Sequence, residues 1–577
     1  MADKRATSQQ GFETADPKKD MAVVEEEAST STSPNDDTKY PTGLHLTLLI
    51  LSLCIAVFLV ALDQTIIAPA LGSITTQFAS IKDIGWYGSS YLLTTTALQP
   101  MYGNIYTLFD IRWTFLGAVA LFELGSLISG LAPSSTVFII GRAVAGLGTA
   151  GIFSGAMVIL SYTMPLRKRP VMFGVFGGLW GVSSVVGPLL GGAFTDQVTW
   201  RWCFYVNLPI GGAAMVVIFF FLRIPTDDAV GRRDEGGDEG CVSKASFGSK
   251  LLQLDLIGAA TFIPAVIMLL LALQWGGADY PWNSSKIIGL FVGAGAMTVI
   301  FVGVEIWQQD RGLLPPQFFK NRNVLAAMMF ALFVGAYFFP LVFYLALYFQ
   351  AVKGDSAIEA GIKLLPYLIS VVLASIASGA LITIFGYYNP VVLFETALLT
   401  AGAGLITTFW LDTPFAKWLG YQVVAGLGTG VCFQAGILVV QNVLPQHLIP
   451  QATACVQFFQ SFGGAVFIAV AQSVFQNGII NNLVRDAPDI SPELIINSGA
   501  SEIRQVLTNM GREDATTVVL GAYTQGLRNT FYISAAAAGC TFLAACCFEW
   551  RRIQKARGEE HDPKFGTGGQ ENESELS

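Results

Sequence analysis

Long apolar stretches separated by short polar segments dominate this chain. Windows of about 20 or more residues, long enough to cross a bilayer, occur fourteen times. Backbone polar groups in lipid must be satisfied within each segment, so the windows predict fourteen transmembrane α-helices and an all-α integral membrane fold. They lie near residues 46–68, 84–106, 113–132, 136–163, 171–196, 203–223, 254–275, 286–308, 324–349, 360–385, 390–411, 416–444, 450–476 and 529–549.

A six-residue repeat relates two of these predicted helices. The sequence Val-Ala-Gly-Leu-Gly-Thr occurs at 144–149 in the fourth window and again at 424–429 in the twelfth. An offset of eight helices predicts six helices, two inserted helices and then six more. Parallel six-helix repeats form a known transporter architecture, so we expect two pseudo-symmetric bundles around a central cavity.

Polar segments set the boundaries of this organisation. We expect a disordered cytosolic N-terminal tail, the first bundle, a cytosolic loop, the two inserted helices, a second cytosolic loop, the second bundle and a cytosolic C-terminal tail. The second bundle includes a long loop outside the cytosol that carries short surface helices. The respective residues are 1–42, 43–224, 225–253, 254–308, 309–323, 324–550 with its loop 478–528, and 551–577.

Residues 146–151 read Gly-Leu-Gly-Thr-Ala-Gly, which has the spacing of a dinucleotide-binding loop. That loop requires a preceding strand within a soluble βαβ unit. Here the surrounding stretch is apolar or small throughout, and Arg142 carries its one charge. Small residues three or four apart let helices approach closely in lipid, so these glycines predict helix packing and no bound nucleotide.

Composition excludes several functional classes. Hydrophobic residues make up 53% of the 577 residues, charged residues 13%, and the mean hydropathy is +0.55, which is too apolar for a soluble protein. Eight cysteines lie mostly within apolar runs, and the three histidines are far apart. We therefore expect no catalytic residue, no metal site and no cofactor. The phosphate-binding pattern of an ATP-driven pump is absent, and no nucleic-acid partner is expected.

Short basic loops predict the orientation in the membrane, because Lys and Arg are retained on the cytoplasmic side. Residues 165–170, 232–237, 310–323 and 549–558 share one side if the N-terminus is cytoplasmic. Both termini are then cytoplasmic. Asn283 lies in an Asn-Ser-Ser sequon on the other side, where a glycan can be attached.

Four motifs carry a resemblance to a known family. They are Leu-Asp-Gln-Thr-Ile-Ile-Ala-Pro-Ala-Leu at 62–71, the segment 141–151 with its intramembrane Arg142, the segment 181–192, and Trp-Arg-Trp-Cys-Phe-Tyr-Val-Asn-Leu-Pro-Ile-Gly at 200–211. Together they resemble the major facilitator superfamily, and within it the fourteen-helix drug:proton antiporters that include fungal exporters of toxins and secondary metabolites. The resemblance implies alternating access driven by a proton gradient. It also makes segment 181–192 the antiporter motif, with Gly187, Pro188, Gly191 and Gly192 in place.

One segment departs from the family pattern. Residues 103–113 occupy the loop between helices 2 and 3, where the family supplies an inner gate, and the matching positions are Gly103, Asp110 and Arg112. Thr107 stands where the family has aspartate, and Asp110 stands where it has a second glycine. The gating ion pair that the family draws from this loop is therefore in doubt here.

Ionisable residues at bilayer depth are costly and indicate functional sites. Asp63 and Arg142 lie roughly 8 and 9 Å from the outer ends of helices 1 and 4 at the helical rise. The resemblance places both helices at the cavity, so we expect the two side chains to meet and to couple protons to transport; the alternative is a permanent ion pair that orients the helices. Glu123 is a weaker candidate, either protonated or hydrogen-bonded. In the second copy Gln422 replaces Arg142, and Phe343 is the position one offset beyond Asp63.

Aromatic and amide side chains predict the substrate surface. An apolar cavity with a few hydrogen-bonding groups is usual for small-molecule sites. Lipid-facing aromatics and amide bonds between helices would explain the same residues. The candidates are Trp180, Gln422, Phe433, Gln434, Gln441, Gln457, Phe458 and Phe459.

The sequence thus predicts a proton-coupled exporter of hydrophobic small molecules, at the plasma membrane or alternatively the vacuolar membrane. Its expected partners are the substrate, protons and the lipid bilayer. A proton-coupled siderophore or nutrient importer is the second transporter hypothesis. A non-transporting sensor would require a folded output domain, and a membrane enzyme would require clustered catalytic groups; neither is visible.

Overall fold

A computed structural model describes residues 43–78, 80, 83–222, 254–277, 280–309, 312–497 and 503–553. The tails and the loop 225–253 that the sequence predicts lie almost entirely outside these residues. The described chain is nearly all helical, which confirms the fold class. Its long helices are α1 Gly43–Phe78, α2 Ile84–Leu108, α3 Ile111–Leu131, α4 Ser135–Thr163, α5 Arg169–Gln197, α6 Trp202–Phe221, α7 Leu256–Trp275, α8 Ser285–Gln308, α9 Arg322–Ala351, α10 Ala357–Phe385, α11 Asn389–Ile406, α12 Phe415–Val443, α13 Ile449–Asp486 and α14 Thr516–Cys546.

Thirteen helices of the described chain are long and apolar enough to cross a membrane, whereas the sequence predicts fourteen. Helix α2 is the exception, although it forms 25 residues of helix at the predicted place. Its sequence is rich in hydroxyl and amide groups, and these face neighbouring helices. Thr94 and Thr95 donate to the carbonyl oxygens of Ala143 and Gly146 on α4 at 2.9 and 3.0 Å. Such satisfied polar groups lower the hydropathy of α2.

Two six-helix bundles, α1–α6 and α9–α14, surround a central cavity. Within the first bundle α4 packs against α2 and α3, and α1 packs against α5. The bundles meet where α5 packs on α10 and where α2 packs on α13. The inserted helices α7 and α8 pack on each other, and α7 also contacts α2 and α13. They therefore lie beside the interface between the bundles.

Equivalent contacts in the two bundles confirm the internal repeat. A β-carbon on Gly125 would overlap the backbone of Ala145, and one on Gly402 would overlap the backbone of Ala425. The two alanines occupy the same place in the repeated six-residue sequence. The hydroxyls of Tyr91 and Thr149 pair at 2.6 Å in the first bundle, and those of Tyr367 and Thr429 pair at 3.2 Å in the second.

A constant offset between the two repeats does not identify a second-bundle residue in an environment like that of Asp63. Phe343 is 56% exposed on the outside of α9, whereas Asp63 is fully buried. The buried residue of α9 near the second tyrosine–threonine pair is Tyr337, whose hydroxyl lies 3.2 Å from that of Tyr367. The repeat offset changes between helices because the two bundles have connections of different lengths.

The segment between the last two long helices is shorter than the predicted loop 478–528. Helix α13 continues to Asp486, and α14 already begins at Thr516. Two short helices, Pro492–Asn497 and Ile503–Asn509, lie between them, as predicted. Polar residues at both helix ends mask these extensions in a search for apolar windows.

We expect Gly125→Val to destabilise the first bundle, because its side chain would overlap the backbone of α4. Overpacking of this kind costs roughly 1–3 kcal/mol. Gly117→Val is the matched control on the same helix, since open space surrounds that position. Thermal unfolding in detergent should show a lower midpoint for Gly125→Val alone. Equal midpoints for the two variants would contradict the close packing of α3 on α4.

Candidate functional site

Asp63 and Arg142 form a buried ion pair between α1 and α4, as the sequence predicts. Arg142 Nη1 lies 2.5 Å from Asp63 Oδ2. The residues are 0% and 1% exposed, respectively. Neither side chain lines the central cavity. The ion pair is therefore separate from the surface that is predicted to bind the substrate.

Groups from α2 and α6 complete the surroundings of this pair. Arg142 Nε donates to the Tyr87 carbonyl at 3.0 Å, and its guanidinium lies 4.4 Å from the centre of the Tyr91 ring. The Asn207 amide donates to Asp63 Oδ1 at 3.3 Å and to the Ser126 hydroxyl at 3.2 Å. Both charges thus have hydrogen-bond partners, which a charge at this depth requires.

Glu123 lies beside the pair but outside its hydrogen-bond network. Its carboxyl group packs against Gly211 of α6, one helical turn from Asn207. Both carboxyl oxygens are buried, and neither has a hydrogen-bond partner in the described chain. Of the two predicted states, the hydrogen-bonded one is therefore not seen, and a neutral carboxyl remains the expectation because an unpaired buried charge is costly.

Segment 181–192 packs α5 onto the helix that carries Asp63. β-Carbons on Gly187 and Gly191 would overlap Thr65 and Ile66 of α1. Thr65 also donates its hydroxyl proton to the Ser183 carbonyl at 2.9 Å. Gly192 does not contribute to this packing, since nothing lies within 4 Å of a β-carbon there, and Pro188 is exposed. Positions 187 and 191 are four apart and share a helix face, whereas 192 is turned away.

The central cavity lies between the bundles, and part of it is open to the outside. None of its described lining residues carries a charge. Its aromatic lining consists of Phe153, Phe176, Trp180, Phe338, Phe339 and Phe433, and its polar lining of Gln64, Thr95, Thr96, Gln99, Thr149, Ser184, Ser375, Gln434, Gln457, Gln460 and Ser461. This surface suits uncharged, largely apolar molecules with a few hydrogen-bonding groups.

Half of the predicted substrate residues line this cavity, namely Trp180, Phe433, Gln434 and Gln457. Phe458 instead packs on Phe262 of α7, with 5.1 Å between ring centres, and Phe459 packs beside Phe458. Gln422 is buried without a hydrogen-bond partner in the described chain, and Gln441 bonds Arg169. Apolar windows do not show which way a helix is rotated about its axis, and this rotation decides between neighbouring residues.

Several cavity residues escape the sequence prediction. Gln64 follows Asp63 directly. Because an α-helix has 3.6 residues per turn, the two side chains point about 100° apart around the helix axis. Gln99 donates to Gln457 at 3.2 Å across the bundle interface. Both are amides within predicted helices of the first bundle. Their amide side chains at bilayer depth are the signal that marks them, as it marks Gln434 and Gln457 in the second bundle.

A short chain of contacts joins the cavity to the ion pair. Thr149 lines the cavity, and its hydroxyl pairs with the Tyr91 hydroxyl. The Tyr91 ring in turn packs on the Arg142 guanidinium. A change in the charge or position of Arg142 therefore reaches the cavity wall through one intervening side chain.

Residues 164–168 and 312–321 form one end of the molecule, here termed the basic end. Most hydrogen bonds between the two bundles lie between the central cavity and this end. Within the first bundle Arg169 donates to the carbonyl oxygen of Ser161. Across the interface it donates to Gln441 Oε1 at 3.1 Å, and Arg167 donates to the carbonyl oxygen of Thr383 at 3.1 Å. These contacts hold the bundles together at this end.

The inserted helices contribute a further tie at the basic end. The Gly312 carbonyl accepts from Asn104 of α2 at 3.4 Å and from Gln451 of α13 at 2.7 Å. Glu305 holds this loop by accepting from the Leu313 amide at 2.8 Å. One backbone carbonyl thus bridges both bundles.

The residues predicted for an inner-loop gate act within the first bundle for the most part. Asp110 accepts from the Trp113 amide at 3.1 Å and so caps α3. The Arg112 guanidinium lies 4.6 Å from the centre of the Phe219 ring on α6. Gly103 alone reaches the second bundle, where it packs against Gln451 and Ala454. No ion pair joins Asp110 and Arg112 among the described residues.

Asn283 is exposed in the connection between α7 and α8, at the end opposite the basic end. Its side chain is therefore accessible for the predicted glycan. Ser284 of the same sequon caps α8 by accepting from the Ile287 amide at 3.4 Å.

Comparisons with known proteins agree with this architecture. Residues 53–468 match the model of the Major Facilitator Superfamily. The chain is 44% identical over 528 residues to the MFS-type efflux pump MFS1 of Arthroderma benhamiae, covering 92% of this chain and 95% of that protein. It is 42% identical over 516 residues to the efflux pump aflT of Aspergillus parasiticus, covering 89% and 97%.

Among solved structures, the proton:xylose symporter XylE aligns with a TM-score of 0.56. The alignment covers 88% of this chain and 97% of that chain at 13% identity. At this identity the likeness shows the fold alone.

We expect Arg169→Gln to open the basic end, because it removes the charged donor of the hydrogen bond to Gln441 across the interface, and a bond of this kind contributes about 1.5–3 kcal/mol. Spin labels at Lys168→Cys and His447→Cys, both exposed at this end, report the separation of the bundles in a background free of other reactive cysteines. The label distance should become longer and broader in Arg169→Gln. Arg112→Gln is the control, and it should leave the distance unchanged. A wild-type distance in Arg169→Gln would contradict the role of these contacts.

Proposed function

This chain belongs to the major facilitator superfamily and is an efflux transporter, not an enzyme, and from that premise we propose that it exports uncharged, apolar small molecules in exchange for protons. The relatives at 44% and 42% identity are fungal efflux pumps by name. We place fungal secondary metabolites among its substrates. The uncharged cavity between the bundles supports this class of molecule, since a charged compound would enter it without a counter-ion.

The buried pair of Asp63 and Arg142 carries the proposal of proton coupling. Protonation of Asp63 removes the negative charge that holds the Arg142 guanidinium in place. Without this attraction the Arg142 guanidinium shifts, and its contact with Tyr91 transmits the shift through Thr149 to the cavity. Exchange of a proton for the compound follows if the two access states differ in the protonation of Asp63.

We further propose that the basic end faces the cytoplasm and that the protein resides in the plasma membrane, with the vacuolar membrane as the alternative. Retention of basic residues on the cytoplasmic side supports the orientation. Closure at the basic end then corresponds to a state in which the cavity faces away from the cytoplasm, the state from which an exporter releases its substrate.

We expect Asp63→Asn to abolish compound-dependent proton movement in liposomes that contain the purified protein. The amide cannot exchange a proton, whereas compound binding in the cavity does not involve this side chain directly. A pH-sensitive dye inside the liposomes, with a panel of hydrophobic compounds added outside, reports the coupled flux. Unchanged coupled flux in Asp63→Asn would reduce the pair to a structural ion pair and would direct attention to other buried carboxyls.

A second variant separates coupling from stability. Asp63→Asn leaves Arg142 buried without its counter-ion, which costs about 3–5 kcal/mol. The double variant Asp63→Asn/Arg142→Gln removes both charges, and the natural Gln422 occupies the equivalent place in the second bundle. We expect the double variant to regain thermal stability and to remain uncoupled. Recovery of coupled flux in it would contradict the proposal.

The orientation makes a prediction about Asn283. In the proposed topology it faces the secretory lumen during synthesis, so we expect a glycan there. Treatment with a glycosidase should increase the electrophoretic mobility of the wild type and leave Asn283→Gln unchanged. If the wild type is unaffected, a sequon transplanted into the connection at 165–168 provides the converse test. Glycosylation at that transplanted site would show that the topology is the inverse of the one proposed.

A further inference from the structure

Helix α12 is broken beside the cavity. Its two parts are Phe415–Thr429 and Cys432–Val443, and Gly430 and Val431 lie at the break. Gly430 packs directly on Ala374 of α10, where a β-carbon would overlap it. Gly430, Phe433 and Gln434 all line the cavity, so the geometry of the break determines the shape of that wall.

A buried carboxyl group holds this break. Glu395 of α11 is 6% exposed, and its Oε2 accepts from the Val431 amide at 2.6 Å. Its Oε1 contacts the hydroxyl of Ser378 on α10. Asp63 has Arg142 as a counter-ion, whereas Glu395 forms no ion pair among the described residues. The Cys432 thiol is the titratable group next to it.

The surroundings of Glu395 indicate the state of this carboxyl. The Ser378 hydroxyl contacts Glu395 Oε1 and also donates to the Ala374 carbonyl oxygen at 2.5 Å. If Glu395 is protonated, its O–H donates to Ser378 while Ser378 donates to Ala374. If Glu395 is ionised, its charge is buried among neutral donors with no cation beside it among the described residues, which is costly. The contacts therefore favour the neutral acid.

We propose that Glu395 is a second proton-binding site, neutral in this conformation, and that loss of its proton rearranges the broken segment of α12 at the cavity wall. Ser375, one turn from Ser378, lines the cavity, so the carboxyl lies one helical turn behind the wall. The released proton passes to water in the cavity. Deprotonation places a negative charge without a cation in this buried position, which favours a different arrangement of the break.

This inference rests on the proposed proton coupling and extends it to the second bundle. The sequence suggests that coupling chemistry is confined to the first bundle, because Gln422 replaces Arg142 in the second copy. Glu395 is not at a position related to Asp63 by the repeat. Glu395 lies on α11 and contacts α10 and α12, whereas Asp63 lies on α1, which itself lines the cavity through Val60 and Gln64.

Glu395→Gln is the informative variant. Its amide group donates to Ser378 and its carbonyl oxygen accepts from Val431, so it mimics the neutral acid and preserves the fold. Infrared difference spectra between acidic and alkaline conditions should show the carbonyl stretch of a protonated, buried carboxyl in the wild type. Since Glu123 is also expected to be a neutral buried carboxyl, we expect the band to lose one component in Glu395→Gln and to keep that component in Glu123→Gln, in Asp63→Asn and in Thr396→Val, a control at the next residue of α11.

Compound binding provides the second measurement. Trp180 lines the cavity, so its fluorescence reports the affinity for a hydrophobic aromatic compound. Linked protonation of one group changes the dissociation constant by up to about tenfold per pH unit. We expect Glu395→Gln to flatten this dependence and Thr396→Val to retain it. An infrared band of undiminished intensity in Glu395→Gln, or an unaltered pH dependence of binding, would overturn the proposal.

The two proposals fail in different ways. Absence of compound-dependent proton movement in wild-type liposomes would refute the proposed antiport, and the infrared band would still decide whether Glu395 binds a proton. Normal antiport together with a band that is unaffected by Glu395→Gln would refute this inference alone.

Discussion

A charge inside an apolar bundle requires a partner, and the pair of Asp63 and Arg142 shows how strongly this requirement shapes the structure. The pair joins α1 to α4 and draws in Tyr87 and Asn207 from α2 and α6. The close packing of α5 on α1 at Gly187 then holds the helix that carries the carboxylate. Most of the first bundle is thus organised around one ionic contact, and the cavity lies immediately beyond it.

Closure at the basic end relies on a different chemistry. Arginine side chains there donate to backbone carbonyl and amide oxygens, and the Gly312 carbonyl accepts from both bundles. Hydrogen bonds to neutral acceptors are easier to exchange with water than a fully buried ion pair, because neither state leaves an unpaired negative charge. This suits contacts that must open and close in every transport cycle.

The sequence predicts the helices, the repeat and the ion pair because each depends on a strong one-dimensional signal. Apolar length reveals the helices, and matching depth brings Asp63 to Arg142. Other features depend on rotation about a helix axis, which spacing alone does not determine: Gln64 faces the cavity, whereas Phe458 faces α7. The buried role of Glu395 is also hidden, because its position near a helix end suggests solvent and the break in α12 that it holds leaves no mark in the apolar pattern.

The tyrosine–threonine pairs occupy matching places in the two bundles, as expected if the chain is the product of a duplication. Tyr91 with Thr149 and Tyr367 with Thr429 survive in both halves, whereas Arg142 and Gln422 have diverged. The two halves therefore form an internal alignment of two sequences within one protein. Positions that agree between them record what an inherited scaffold requires, and positions that differ record where the descendants of the ancestral half acquired separate tasks.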